Sequence, residues 1–218
     1  MFRIDLHSHT EYSHDAFTTL PDCVRFAERN GLQGLAVTDH DTTEGAVKLL
    51  KMFPKTFLYV PGVEVTTPQG HILALNITEN PPGGRSVDSL AHWVRERGGI
   101  TVWAHPFDPL HRTLDFERMV SHVDAIEAAN SHVLLYDRHK ELALSFLSSN
   151  GKGVTAGSDS HLPETIGRTY LVFEEPPGDV EELLKWVIQG RGVPMGRRTE
   201  LRWRLRKIRR QLAKSVSK

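Results

Sequence analysis

The chain has 218 residues and a formal net charge of zero, with 39% hydrophobic and 25% charged residues. That balance suits one generous soluble domain or two small ones and argues against a disordered or fibrous chain. A single cysteine, Cys23, excludes an internal disulfide framework and a cysteine-built zinc module. No run reaches the roughly 18 apolar residues of a membrane span, and Met1-Phe2-Arg3-Ile4-Asp5 lacks a secretion-signal layout, so the expected setting is cytoplasmic.

In chain order, short apolar runs alternate with helical patterns. Phe2–Leu6 reads as a strand, Leu20–Arg29 as a helix, Leu35–Thr38 as a strand and Gly45–Met52 as a helix. Phe57–Glu64 and His71–Asn76 read as strands around a Thr-Pro-Gln-Gly turn. Leu90–Arg97 reads as a helix, Ile100–His105 and Ala125–Ala129 as strands, and Val133–Ser149 as a helix. A strand at Gly153–Ala156, another at Thr169–Glu174 and a helix at Val180–Gln189 close the body. Asn80-Pro-Pro-Gly-Gly and Glu175-Pro-Pro-Gly read as turns. The alternation predicts an α/β protein, a small distorted (β/α) barrel over residues 1–190, with parallel strands joined by helices. Residues 191–218 form a separate basic tail.

Potential metal ligands fall where these strands end. Asp5-Leu6-His7-Ser8-His9 leaves the first strand, and the two-residue step lets His7 and His9 face one cation. Asp15 follows six residues on, beside His14. The second strand runs into Thr38-Asp39-His40-Asp41, the third ends at Gly62-Val63-Glu64, and His71 opens the fourth. His105-Pro106 and Gly157-Ser158-Asp159-Ser160-His161 complete the series. Pro106 predicts an extended His105, because a residue before proline avoids helical geometry. A lone His or Asp near a strand end is an ordinary polar residue, and that reading is kept for Asp5, Asp41, His92, His111, His122 and His139. Nine such residues at successive strand ends are a different matter: His7, His9, Asp15, His40, Glu64, His71, His105, Asp159 and His161 read as one metal centre.

These motifs, in this order through roughly residues 2–175, resemble those of the polymerase and histidinol phosphatase (PHP) superfamily. The resemblance implies a seven-stranded (β/α)7 TIM-like barrel and two or three divalent metal ions. It assigns His7, His9, Glu64 and Asp159 to a first metal, Glu64 with His71 and His105 to a second, and Asp15, His40 and His161 to a third. Ser13-His14-Asp15-Ala16 offers two candidates for one place; Asp15 suits the family spacing better, and His14 could substitute. Asp39, on the opposite face of its strand, would orient His40.

Mixed imidazole and carboxylate ligands suit zinc, manganese or iron. Clustered cations cancel the charge of a phosphate ester, lower the pKa of a bound water and stabilise the leaving oxygen. The expected activity is therefore metal-dependent phosphoesterase chemistry on a small phosphorylated metabolite or nucleotide, with metal-bound hydroxide as attacking group. His40, His161 and Asp159 are the expected catalytic residues, either histidine protonating the leaving alkoxide. Arg168 and His132 are candidate substrate contacts, and Glu127 and Asn130 candidate supports. A nuclease acting on nucleic-acid ends and a non-enzymatic metal-binding accessory domain are the alternatives.

The zero net charge hides an asymmetry. From Arg191 to Lys218 there are eleven Lys/Arg and one acid, about +10, against 16 basic and 26 acidic residues in the rest, about −10. Leu201, Leu205, Ile208, Leu212 and Val216 fall on one stripe of a predicted helix. This helix is expected to lay its apolar stripe on the acidic body; a nucleic-acid contact is the less favoured reading.

Overall fold

In the computed structural model, residues 1–52, 57–110 and 115–216 are described. His111 and the end of the Phe107–Leu114 loop lie outside them. The elements, in order, are β1 (Phe2–Asp5), α1 (Leu20–Arg29), β2 (Gly34–Val37), α2 (Glu44–Met52), β3 (Leu58–Thr67), β4 (Gly70–Leu75), α3 (Val87–Arg95) and β5 (Ile100–Trp103). After them come α4 (Phe116–His122), β6 (Ala125–Asn130), α5 (Tyr136–Asn150), β7 (Gly153–Gly157), β8 (Thr169–Phe173), α6 (Val180–Ile188), β9 (Val193–Gly196) and α7 (Leu201–Val216). Of these, α4 and β9 are not among the expected elements.

The sheet runs β7-β6-β5-β4-β3-β2-β1-β8-β9. It curls until the chain leaving β1 meets the chain leaving β7: Leu6 N–H donates to the Ala156 carbonyl, Asp159 N–H to His7 and His9 N–H to Ser160. Strands β1, β2 and β3 are parallel, as are β5, β6 and β7, giving the nearly closed, distorted barrel expected. The expectation of parallel strands throughout is corrected at β4, which is antiparallel to both β3 and β5. Four residues, Thr67 to Gly70, turn β3 directly into β4, and a connection that short can only join antiparallel neighbours. β3 consequently runs on to Thr67, beyond the expected end at Glu64, because the hairpin keeps its backbone paired. β8 and β9 extend the sheet antiparallel from β1.

Three apolar clusters hold this frame. One joins Ile4, Leu6, Val60, Leu73, Leu75 and Val102 to Leu183, Leu184, Trp186 and Val187 of α6. A second packs β3, β4 and β5 against α3 and α4 through Ile72, Leu90, Val94, Trp103 and Met119. A third seats α1 and α2 on β2 through Cys23, Ala27, Leu35, Val37 and Leu49. α1 is well specified locally: Thr19 caps it by accepting from Asp22 N–H, with Pro21 in its first turn. Such burial, at about 25 cal/mol per Å2, frees the strand ends to carry polar groups that contribute nothing to the core.

The basic tail is helical, but it docks the other way round from the expectation. Leu201, Leu205, Ile208 and Leu212 are exposed, while Trp203, Arg204, Lys207 and Arg210 turn toward the body. Arg204 donates to the carbonyls of Ser131, Val133 and Thr199. Arg206 pairs with Glu164, Lys207 with Asp15, and Lys214 donates to the His14 carbonyl. Guanidinium groups reaching backbone carbonyls and carboxylates decide the docking face, because charge-assisted hydrogen bonds to these loop acceptors are strong. Among the described residues no helix is long and apolar enough to cross a membrane.

Candidate metal centre

Glu64 is the hub of the polar end of the barrel. Its Oε2 lies 3.1 Å from His40 Nδ1, 3.2 Å from His9 Nε2 and 3.4 Å from His7 Nε2; its Oε1 lies 3.1 Å from His71 Nδ1 and 3.2 Å from His105 Nε2. Five imidazoles thus surround one buried carboxylate. Parallel strands bring their C-terminal ends to this rim, so His7, His9, His40, His105, Asp159 and His161 all follow strand ends. The antiparallel β4 reaches the same rim with its first residues instead, which is why its contribution, His71, opens the strand.

The rings are held by their second nitrogens. Glu127 Oε1 lies 3.0 Å from His7 Nδ1, and a carboxylate can only accept, so that nitrogen carries a proton and Nε2 is the atom turned to the cleft. Ser13 has a single hydroxyl hydrogen, donated to Asp39 Oδ1 at 2.8 Å; His9 Nδ1, 3.0 Å from the same oxygen, is therefore the donor to it. His161 Nδ1 donates to the Asp159 carbonyl at 2.9 Å. The Nε2 atoms of His7, His9 and His161 are in this way left facing the cleft. Gly157 makes room beneath, since a Cβ there would collide with His7 Cβ.

Asp39 was expected to orient His40. It acts mainly on His9, through Ser13, and on the following turn by accepting from Thr10 N–H and Oγ1. Ser13 Oγ also accepts the backbone N–H of His40 at 3.1 Å, so the influence on His40 is through the main chain. Ser13 was missed in the sequence, where nothing distinguishes it from any loop serine. His105 is not extended: its φ is +33°. The strand ends at Trp103, and the His105 N–H is drawn to Glu127 Oε2 at 2.9 Å, which turns the chain despite Pro106. Asp159, at φ +50°, is likewise bent into the site.

Donor atoms within 4.8 Å of one another form three groups: His7, His9 and Asp159; Glu64, His71 and His105; and His9, His40 and His161. The first two match the implied sets, with Glu64 in reach of the first as well. The third has His9 where Asp15 was implied. Asp15 Oδ2 lies 3.0 Å from His161 Nε2 and Oδ1 3.6 Å from His40 Nε2, but Oδ2 also accepts from Lys207 Nζ at 2.9 Å. His14 sits farther out, its ring centroid 5.3 Å from that of His40.

The electrostatics favour positive charge at the centre. Burial alone would depress His7 and His9. The charges of Glu127, Asp159 and Glu64 instead hold His7 well above its ordinary range, and hydrogen bonds that Asp159 and Glu64 accept from His9 lift it to about 9. Burial would raise Glu64 and Asp159, yet the charge of His7 and the surrounding imidazole hydrogen bonds keep both well below the usual carboxylate range. Burial and the neighbouring His9 push His40 down to about 3 and also lower His161. Beneath the site, burial pushes Asp5 up to about 6, although it accepts N–H groups of Ser158, Gly167 and His7.

The donor chemistry fits divalent metal ions. His7 and His9 turn their Nε2 atoms toward each other across 3.1 Å, and Glu64 and Asp159 beside them favour a positive charge there, supplied by a proton or by a metal ion. Six histidines and three carboxylates converge there, a mixed set suited to first-row divalent metals. A cavity of about 260 Å3 opens above them, lined by His14, Asp15, His40, Asp41, Glu64, Thr66, His71, His105, His132, Asp159, His161 and Lys207.

His132 lies at this cavity, 5.0 Å between ring centroids from His161, with burial pushing its pKa down to about 3. Glu127 and Asn130 are buried below it, and Asn130 Nδ2 donates to Glu127 Oε2. Arg168 is not brought to the cleft. It pairs with Glu200 at 2.8 Å and lines a separate pocket with Asn30 and Arg197, because Gly167 turns its backbone away. His139, expected to be an ordinary polar residue, is buried in α5 with both ring nitrogens lacking hydrogen-bond partners among the described residues.

Comparison with known proteins agrees with this geometry. A family model described as PHP-associated matches residues 137–191. A protein of Vibrio campbellii named probable phosphatase is 28% identical over 208 residues, covering 79% of this chain and 82% of the relative. A two-domain protein of Bacteroides vulgatus containing a predicted PHP-like metal-dependent phosphoesterase superposes with a TM-score of 0.72 at 19% identity, over 90% of this chain and 65% of that one. The lesion-specific endonuclease of Pyrococcus furiosus superposes with a TM-score of 0.68 at 19% identity, over 88% of this chain and 57% of that one. The chain thus shares its fold with structures described as PHP-like, carries a PHP-associated segment, and is similar along most of its length to relatives named probable phosphatases. The resemblance read from its motifs is borne out.

Proposed function

We propose that this chain hydrolyses a phosphate ester of a small metabolite or nucleotide, with two or three divalent ions of the zinc, manganese or iron type. The observation that carries this reading is Glu64, whose two oxygens face separate groups of imidazoles and so can link neighbouring cations. Divalent ions held there supply Lewis acidity toward phosphate oxygens and a lowered pKa for water. The protein residues do the rest. His7, His9 and Asp159 form one donor set, His71 and His105 a second with Glu64, and His40 and His161 a third with Asp15 at its edge. Glu127 and Ser13 fix the tautomers of His7 and His9, so no reorientation is needed when a cation or anion arrives.

His40 and His161 are held neutral at pH 7 by burial and by His9. Neutral imidazoles present lone pairs, which suits ligands better than the leaving-group acid expected of them; the leaving oxygen then takes its proton from water in the cleft. Asp159, ionised throughout, keeps its role as an anionic ligand.

A small ester is favoured over a nucleic-acid end because α7 engages its inward charges within the molecule, on Asp15, Glu164 and three backbone carbonyls. The test is manganese-loaded protein incubated with a 5′-phosphorylated oligonucleotide and small phosphomonoesters together, all products resolved by mass. Inorganic phosphate from the small esters with the oligonucleotide intact is expected. Mononucleotides released from the oligonucleotide would replace this reading with a nuclease.

A further inference from the structure

Lys207 is the one Lys or Arg lining the metal cavity among the described residues, although it lies in the tail and not in the barrel. Its side chain is 13% exposed, and its ammonium sits 2.9 Å from Asp15 Oδ2, the oxygen that also meets His161 Nε2 at 3.0 Å. Glu64, His71 and His105 line the same cavity. An ammonium has three donors, and a carboxylate takes one of them in this pair.

Lys207 is also only one of several contacts that hold α7 in place. Arg204 reaches the carbonyls of Ser131, Val133 and Thr199, Arg206 pairs with Glu164, Arg168 with Glu200, and Lys214 donates to the His14 carbonyl. With that much independent anchoring, a Lys side chain directed into a cleft of metal donors calls for a role in the cleft.

We infer that Lys207 is a phosphate-binding residue of this site, an anion contact that α7 delivers across the rim of the barrel. The inference rests on the phosphoesterase reading. In the metal-free protein Asp15 neutralises the ammonium. His40, His161 and Asp15 would hold a cation between them, and a carboxylate so engaged would leave donors of Lys207 for an oxygen of the substrate phosphate. The exchange needs no movement of α7, because both partners of Asp15 already meet at one oxygen. It also gives the inward face of the basic tail a function separate from nucleic-acid binding: the point charge that supplements the metals in holding a dianion.

The probe is inorganic phosphate, titrated calorimetrically into manganese-loaded protein, with metal content measured on the same samples. Lys207→Met keeps the length of the stem and removes the charge; Arg206→Ala removes a neighbouring charge that lies outside the cavity. The expected result is phosphate binding by the parent protein, a loss of roughly ten- to a hundredfold in affinity for Lys207→Met at unchanged metal content, and no loss for Arg206→Ala. Lys207→Arg should recover part of the loss, which an effect on folding would not explain. Equal phosphate affinity in the parent and Lys207→Met overturns the inference while leaving the phosphoesterase reading intact. Loss of metal in Lys207→Met would overturn it too, by making Lys207 a support for Asp15. A metal-loaded parent that binds no phosphate overturns both readings.

Discussion

Glu127 and His7 meet at 3.0 Å beneath the metal centre, and the other oxygen of Glu127 accepts the backbone N–H of His105. One fully buried carboxylate therefore positions groups from two donor sets: a ring in the first and a main-chain turn in the second. Partners of this kind set ligand basicity and orientation, and their loss commonly costs ten- to a hundredfold in metal affinity. Glu127→Ala is expected to lose metal to a competing chelator at roughly a tenth or less of the concentration needed for the parent protein. Metal retention equal to the parent would mean that His7 is held by packing against Gly157 alone.

Glu64 touches five imidazoles, so its removal should uncouple metal binding from stability. Manganese at a hundredfold excess over its Kd stabilises a folded protein by about 2.7 kcal/mol, several degrees in Tm. The parent protein is expected to show that shift and Glu64→Ala none. Thermal scans with and without manganese, read with metal content, decide the point; a full shift in Glu64→Ala would remove Glu64 from the centre.

His139 supplies a pH dependence from a residue that is not itself one of the candidate ligands. Burial pushes its pKa down to about 4 from an ordinary value of 6.5. The unfolded chain therefore takes up a proton in this window before the folded protein does. Stability from a neutral His139 is complete above pH 6.5 and is lost as the pH falls toward 4. Between pH 7 and pH 5 the loss amounts to about 2 kcal/mol. His139→Leu should cut the difference between the unfolding free energies from urea titrations at these two pH values by that amount; an unchanged difference would show that the ring finds a partner when protonated.

The docking of α7 makes opposite predictions for its two faces. Leu205→Glu and Ile208→Glu lie on the exposed stripe and should change stability by no more than about 0.5 kcal/mol. Arg204→Ala strips a donor from three carbonyls and should cost about 1–3 kcal/mol. Chemical denaturation of the three variants separates the faces. A large cost at Leu205 or Ile208 would mean that the stripe is covered in solution.

Most of the barrel was legible because its signals are local. The helix Leu20–Arg29 carries its own cap and proline, and the ligands advertise strand ends by two-residue spacing. Misreadings occurred where a distant group overrode a local preference. Pro106 favours an extended His105, but the pull of Glu127 on the His105 N–H turns it. The Leu/Ile stripe of α7 favours apolar docking, but carbonyls and carboxylates at the loops offer stronger partners to Arg204, Arg206 and Lys207. Arg168 follows the last ligand pair closely in sequence, yet the turn at Gly167 sends it to Glu200.

By itself, the sequence determined the inventory: six histidines and three carboxylates at the ends of alternating strands, and a basic amphipathic segment behind them. Such patterns follow from side-chain periodicity, which each short segment carries on its own. Only the tertiary structure decided how the inventory is shared, with Glu64 at the hub, Ser13 and Glu127 setting tautomers, and Lys207 facing Asp15 across 192 residues of chain. Hydrogen bonds and charges act through distances of a few ångströms in space, and contacts between residues so far apart in the chain leave no mark on the local pattern of either one.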